Sequence, residues 1–113
     1  MAKKKISSYS DGIAKFYKKK DIRKNVKSLD DLEYLGFLYF EEKSKRQQDI
    51  EFAEQKGSTL SLKIETPDDG NMDNNRNVVI GNVIYAIIHV DRNKKEQKLY
   101  FYLEEVREIE TEN

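Results

Sequence analysis

Residues 59–107 read as three or four β-strands separated by turn-forming residues. Across 59–66, Leu60, Leu62 and Ile64 fall on one side, while Thr59, Ser61, Lys63 and Glu65 fall on the other. That is the period of a half-buried strand with the second set facing out. Between the apolar runs Val78-Val79-Ile80 and 83–90 lies Gly81-Asn82, a two-residue hairpin turn of the kind with Gly first. In the second run Val83, Tyr85, Ile87 and His89 share one face, and Ile84, Ala86, Ile88 and Val90 share the other. Asp91-Arg92-Asn93-Lys94 reads as the next turn and 98–106 as the last strand. The stretch 67–77 is an Asp- and Asn-rich loop opened by Pro67.

The first half is less regular. Residues 1–12 read as a flexible lead-in ending in the turn dipeptide Asp11-Gly12. Residues 13–20 suit a strand with Ala14 and Phe16 on one face; a short basic helix has the same spacing, but Phe and Tyr favour a pleated surface. Residues 21–35 form a polar connection in which Ser28-Leu29-Asp30-Asp31 caps one helical turn. Gly36-Phe37-Leu38-Tyr39-Phe40-Glu41 is a strand that is apolar on both faces, so it is central or touches something on each side. Asp49 stands as the N-cap of a helix over 50–56, with Gly57 as its stop. The reading is therefore mainly β: a small antiparallel barrel (or sandwich) of five to six strands, with one short helix between the second and third. The domain spans 13–107, and an acidic tail over 108–113 follows.

At 113 residues the chain has room for one modest core. Its balanced charge hides a split. Residues 1–28 hold ten Lys/Arg against two acids, and residues 29–113 hold eleven against nineteen. Such asymmetry fits head-to-tail self-association, an interaction arm, or simply a solvated basic strand followed by an acidic body. Cysteine is absent and His89 is the single histidine, so thiolate sites, His-cluster metal sites and His-based triads lack material. The best metal-like spacing is Asp69, Asn71, Asp73 and Asn75, but it has neither the glycine nor the glutamate that a calcium loop requires, and an Asx-rich turn accounts for it. No cofactor motif and no catalytic set are present, so a non-enzymatic role is expected. No apolar run reaches the ~20 residues of a membrane span. The basic Lys3-Lys4-Lys5 start is followed by no apolar stretch, so export through a signal peptide is not expected.

Small barrels also bind single-stranded nucleic acid through surface aromatics framed by cations. Tyr39, Tyr85, Tyr100 and Tyr102 are available, and the basic segment 1–28 could supply the cations. The acidic remainder opposes it, since phosphate contacts dominate such affinity. This is the alternative reading.

Several stretches together resemble a known family. They are Phe37-Leu38-Tyr39-Phe40; the run from Asp49 through Ala53, Gly57, Thr59-Leu60, Leu62-Lys63-Ile64 and Thr66-Pro67; Val78-Val79-Ile80-Gly81-Asn82-Val83-Ile84-Tyr85; Val90-Asp91-Arg92; and Leu99-Tyr100-Phe101-Tyr102-Leu103-Glu104-Glu105-Val106. This pattern, over residues 36–107, resembles the bacteriophage head–tail joining proteins, the small head-closure or stopper connectors of tailed phages. The resemblance implies a β-barrel that assembles with itself into a ring beneath the portal and adaptor, closes the DNA channel after packaging and offers a docking surface to the tail. Implied partners are other copies of the chain, the portal or adaptor protein, a tail terminator or completion protein, and the viral DNA; no membrane is involved. The place implied is the virion, after synthesis in the bacterial cytoplasm. The channel-closing element falls on 44–58, with Lys45, Arg46, Gln47, Gln48, Asp49, Phe52 and Lys56 as its candidates. Lys18, Lys19, Lys20, Arg23, Lys24, Asp68, Asp69, Met72 and Arg76 are the candidates for subunit or partner contacts.

Overall fold

Six antiparallel strands close into a barrel in the computed structural model, which describes residues 9–70 and 76–109. The strands are β1 (Gly12–Lys19), β2 (Leu32–Lys43), β3 (Leu62–Pro67), β4 (Arg76–Ile80), β5 (Val83–Asn93) and β6 (Lys98–Glu108). Around the barrel they run β1-β2-β3-β6-β5-β4, and β4 returns to β1. One helix, α1 (Gln47–Gln55), lies between β2 and β3. The expected class, a small antiparallel β-barrel with a helix in that connection, is the observed one. The lead-in up to residue 8, Met72 with its neighbours 71–75, and the tail from residue 110 lie outside the described residues.

Every strand feeds the interior. Ala14, Phe16, Phe40, Ile64, Val78, Ile87, Val90, Leu99, Phe101 and Leu103 form one buried cluster. The rings of Phe16 and Phe101 pack in its centre at 5.3 Å between centroids. Burying side chains of this size contributes about 1.5–3 kcal/mol each. The β4–β5 turn is Gly81-Asn82, as the sequence indicates, and Gly81 takes a φ of 63°. Close by, Gly12 leaves space for the Phe40 ring, which a Cβ there would meet at 3.0 Å.

Strict alternation fails where the strands bulge. The β5–β6 register shifts between Ile84 and Tyr85, where Val106 of β6 is the extra residue, and again between Ile87 and His89, where Ile88 of β5 is. The extra residue turns the following side chains over. Ile87 and Val90 therefore share the interior, although their spacing puts them on opposite faces, and His89 turns outward to stack on Phe52. The turn expected at 91–94 also moves: β5 continues to Asn93 and the turn occupies 94–97. There Gln97 takes a φ of 57° and the Asn93 side chain accepts from the Glu96 N–H at 3.0 Å.

Two further differences concern β2 and β3. β2 starts at Leu32, inside the stretch expected to be irregular; only the turn before it matches, Leu29–Asp31 capped by Ser28. Ser28 Oγ accepts from the Asp30 N–H at 3.2 Å, and the Asp31 carboxylate accepts from the N–H groups of Lys27 and Ser28. β3 begins at Leu62 rather than residue 59. Leu60 does not join Leu62 and Ile64 on the interior face but packs outside the barrel with Ala53 and Tyr102. Lys63 and Glu65 do point away from the interior, yet they are buried, because a second layer covers them. That layer is α1 over Lys63 and Tyr9 over Glu65, whose carboxylate also meets Lys43 and Lys98.

Candidate functional site

Within the connection 44–58, α1 lies on the outer face of β3, β5 and β6. Its apolar footprint is small: Ala53, fully buried, with Ile50 and Leu60 against Tyr100, Tyr102 and Ile88. The remainder of the docking is polar. Asp49 is buried and sits in the first turn, not at the N-cap; the helix starts two residues earlier, after Arg46. Its carboxylate reaches back to accept from the Arg46 N–H at 3.0 Å, the half of a capping box available to an acid at the third helical position. It also meets Lys63 Nζ at 3.0 Å, Arg46 Nε at 3.3 Å and the Tyr102 hydroxyl at 3.4 Å.

Burial alone would raise the pKa of Asp49. The hydrogen bonds from the Arg46 backbone, from Lys63 and from the Arg46 guanidinium outweigh it and hold the carboxyl at about 2. Burial, with the charges of Asp49 and Asp91 nearby, pushes the Tyr102 hydroxyl up to about 12. Lys63 Nζ lies 5.1 Å from the Tyr102 ring centre and 5.9 Å from that of Tyr100. Beside this network opens a cleft of about 440 Å³, lined among others by Lys43, Arg46, Lys63, Tyr100 and Tyr102. Three cations reach it, and each faces a carboxylate at 3.0–3.5 Å. Arg46 and Lys63 share the Asp49 carboxylate and Lys43 meets Glu65, and the Asp49 pairs dock the helix.

Of the residues assigned to the connection, the cations and Phe52 turn toward the barrel. Lys45 donates to the Ser61 carbonyl at 3.2 Å, and Lys56 donates to the Ile88 carbonyl at 3.4 Å while covering Phe52. Phe52 itself packs edge-on against His89 and Tyr102. Gln47, Gln48, Glu51, Glu54 and Gln55 remain exposed, so the outer face of α1 carries two acids and no cation.

The contact candidates gather at the opposite end of the barrel. Lys18 and Arg76 are register partners across β1 and β4. Lys18 also faces Glu33 at 3.8 Å, and the Arg76 guanidinium stacks over Phe16 at 4.6 Å. Both line a groove of about 360 Å³ together with Asp69, Leu35, Phe37 and Leu38. Lys20, Arg23 and Lys24 are exposed on the β1–β2 connection and Lys19 is half-buried; Arg23 pairs with Asp21 at 3.3 Å. Asp68 is committed elsewhere. Its carboxylate accepts from the Gly70 N–H and from Arg92 at 2.6 Å, and both hold it below the usual carboxylate range.

The surface that sequence reasoning missed is the outer face of β1 and β2. Leu38 and Phe40 point inward, while Phe37 and Tyr39 stand 48% and 55% exposed, edge to face at 5.6 Å. Ile13 lies opposite Tyr39, and Lys15 opposite Phe37. Tyr34 and Leu35 extend the exposed patch. Its signal was already present in the two-faced apolarity of residues 36–41: one face meets the core, and the other stands exposed among the described residues. Elsewhere on the barrel, the outer face is covered by Val26, Leu29 and Ile109 over Val79 and Ile84, or by α1.

The chain matches no protein-family model and no curated protein. Among the described residues no helix is long and apolar enough to cross a membrane, and no group of acidic or histidine side chains is arranged to hold a metal ion. The fold and surfaces define a small β-barrel with one uncovered aromatic face and a helix docked by buried ion pairs.

Proposed function

We propose that this protein is a non-enzymatic assembly subunit: a ring-forming connector between the head and tail of a bacteriophage, in which the α1 connection closes the DNA channel and the ring receives the tail. The observation that carries the proposal is the face of β1 and β2, with Ile13, Tyr34, Leu35, Phe37 and Tyr39 exposed together, whereas Val26, Leu29, Ile109 and α1 cover outer parts of β4, β5 and β6. A contiguous apolar patch of this kind marks a surface that another molecule covers. The barrel, with a segment (44–58) between β2 and β3, agrees with the architecture the family resemblance implies. The outer side of α1 also suits a channel wall. With Glu51, Glu54 and three glutamines outward, the helix itself faces passing phosphates with acids, and the exposed cations Lys45, Arg46 and Lys56 stand only at its ends. The test is a phage lacking the gene: filled heads without joined tails are expected, and normal tailed particles would refute the reading.

One observation favours the nucleic-acid alternative. Lys15 stands beside Phe37 and Tyr39 on an exposed barrel face, the combination on which single strands stack. Removing residues 1–28 cannot test it, because β1 would leave the barrel with them. Lys15→Glu with Lys18→Glu does: loss of a salt-dependent affinity for single-stranded DNA supports it, and absence of such affinity in the unaltered protein rejects it.

A further inference from the structure

β3 has six residues and lies between strands of twelve and eleven. It pairs with β2 only through Glu41, Glu42 and Lys43, and with β6 only as far as Leu103. Each long neighbour therefore overhangs it, and the antiparallel order puts the two overhangs at opposite ends of the barrel. Along residues 32–40 β2 pairs with β1 on one side and, among the described residues, with no strand on the other. Past Leu103, Ser61 Oγ accepts from the Glu105 N–H, and β6 then runs on from Val106 to Glu108 with β5 as its one strand neighbour among the described residues.

The overhangs differ in chemistry. Tyr34, Leu35, Phe37 and Tyr39, four of the seven exposed large apolar residues, lie on the β2 overhang. Its one charge is Glu33, and Lys15, Lys18, Lys19 and Lys20 follow beside it on β1 and just beyond. The β6 overhang exposes Val106 among Glu105 and Glu108, while Arg107 is turned to the Lys27 carbonyl. An apolar edge framed by lysines thus stands at one end of the molecule, and an acidic edge with an exposed valine at the other.

We infer that the β6 overhang of one copy pairs along the unpaired edge of β2 in the next, a head-to-tail contact between copies of this chain. Unpaired edges add strands because their N–H and C=O groups are already aligned for a ladder. Here opposite charges select the edge of the other end over its own kind. Each copy gives one edge and receives one, a heterologous contact that forms a ring when the rotation closes. The inference supplies the subunit contact for the connector reading and rests on that reading only for closure into a ring.

The chain contains no cysteine, so cross-linking tests the contact directly. Leu35→Cys and Val106→Cys, both at exposed positions, are made in separate full-length proteins, mixed in concentrated solution and oxidised. A disulfide-linked dimer is expected in the mixture and not in either protein alone. Lys15→Glu in the first protein should remove most of that product, and Glu108→Lys in the second should restore it. No mixed dimer, or equal linking by Leu35→Cys alone, overturns the inference. The second result would show two β2 edges meeting instead. If the cross-link fails while the gene deletion still yields tailless filled heads, this contact is wrong and the connector reading stands. If the cross-link forms but tails join without the gene, the contact stands and the connector reading falls.

Discussion

Replacing Asp49 with Asn tests whether the buried ion network docks the helix. The side chain keeps its shape and loses its charge, leaving the Lys63 ammonium, 8% exposed, without its carboxylate. An aspartate that titrates near 3.8 in the unfolded chain and at about 2 in the fold contributes about 2.5 kcal/mol above roughly pH 4. Stranding a buried partner raises the cost toward about 3–5 kcal/mol. Arg46 is 60% exposed, so its share is screened by water and the total stays near the lower end, about 3 kcal/mol. Urea unfolding of both proteins at pH 7 should show that gap. The folded pKa lies below the unfolded one, so the contribution is complete above about pH 4 and is lost as the pH falls toward 2. The gap between the two proteins must therefore narrow over that window, because asparagine does not titrate. A gap below about 1 kcal/mol at pH 7, or one that stays constant down to pH 3, would refute the argument. Asp49→Leu combined with Lys63→Met should recover most of the loss, since apolar replacement of a whole buried pair is often neutral.

Other expectations follow from the barrel and its surface. Phe101→Ala opens a cavity against Phe16 and should cost about 3–5 kcal/mol in chemical denaturation; a loss under 1 kcal/mol would mean the interior is not packed as described. Gly81→Val forces a branched side chain to a φ of 63° and should cost at least about 1 kcal/mol; unchanged thermal stability would contradict the turn. Phe37→Ser with Tyr39→Ser should leave stability within about 0.5 kcal/mol while abolishing self-association measured by sedimentation. Unfolding of this pair, or unaltered association, would count against an uncovered docking face.

The barrel was legible from residues 59–107 because a half-buried strand writes its period into sequence and Gly81-Asn82 marks its own turn. The helix was legible in position but was displaced at its start. Asp49 looks like a cap from sequence alone, whereas its acceptor role at the third helical position depends on Lys63 and Tyr102 approaching from β3 and β6. Leu60 was misplaced because β3 begins only at Leu62, whereas Lys63 and Glu65 face outward as expected but are buried. Alternation tells two faces apart but not whether the outer one meets water, and here α1 and Tyr9 cover it. The bulges at Val106 and Ile88 in the β5–β6 pair were equally invisible, since one unpaired residue is defined by the partner strand.

The candidate site divides along the same line. The sequence by itself determined the class, the turn, the charge split and the two-sided apolarity of residues 36–41, because those are properties of local spacing and composition. Only the tertiary structure decided that Phe37 and Tyr39 stay exposed, that Lys45 and Lys56 bond to Ser61 and Ile88, and that a short β3 leaves β2 and β6, at opposite ends, edges with no strand neighbour among the described residues. Each of those depends on which strand lies beside which, and closing the ring of strands settles that.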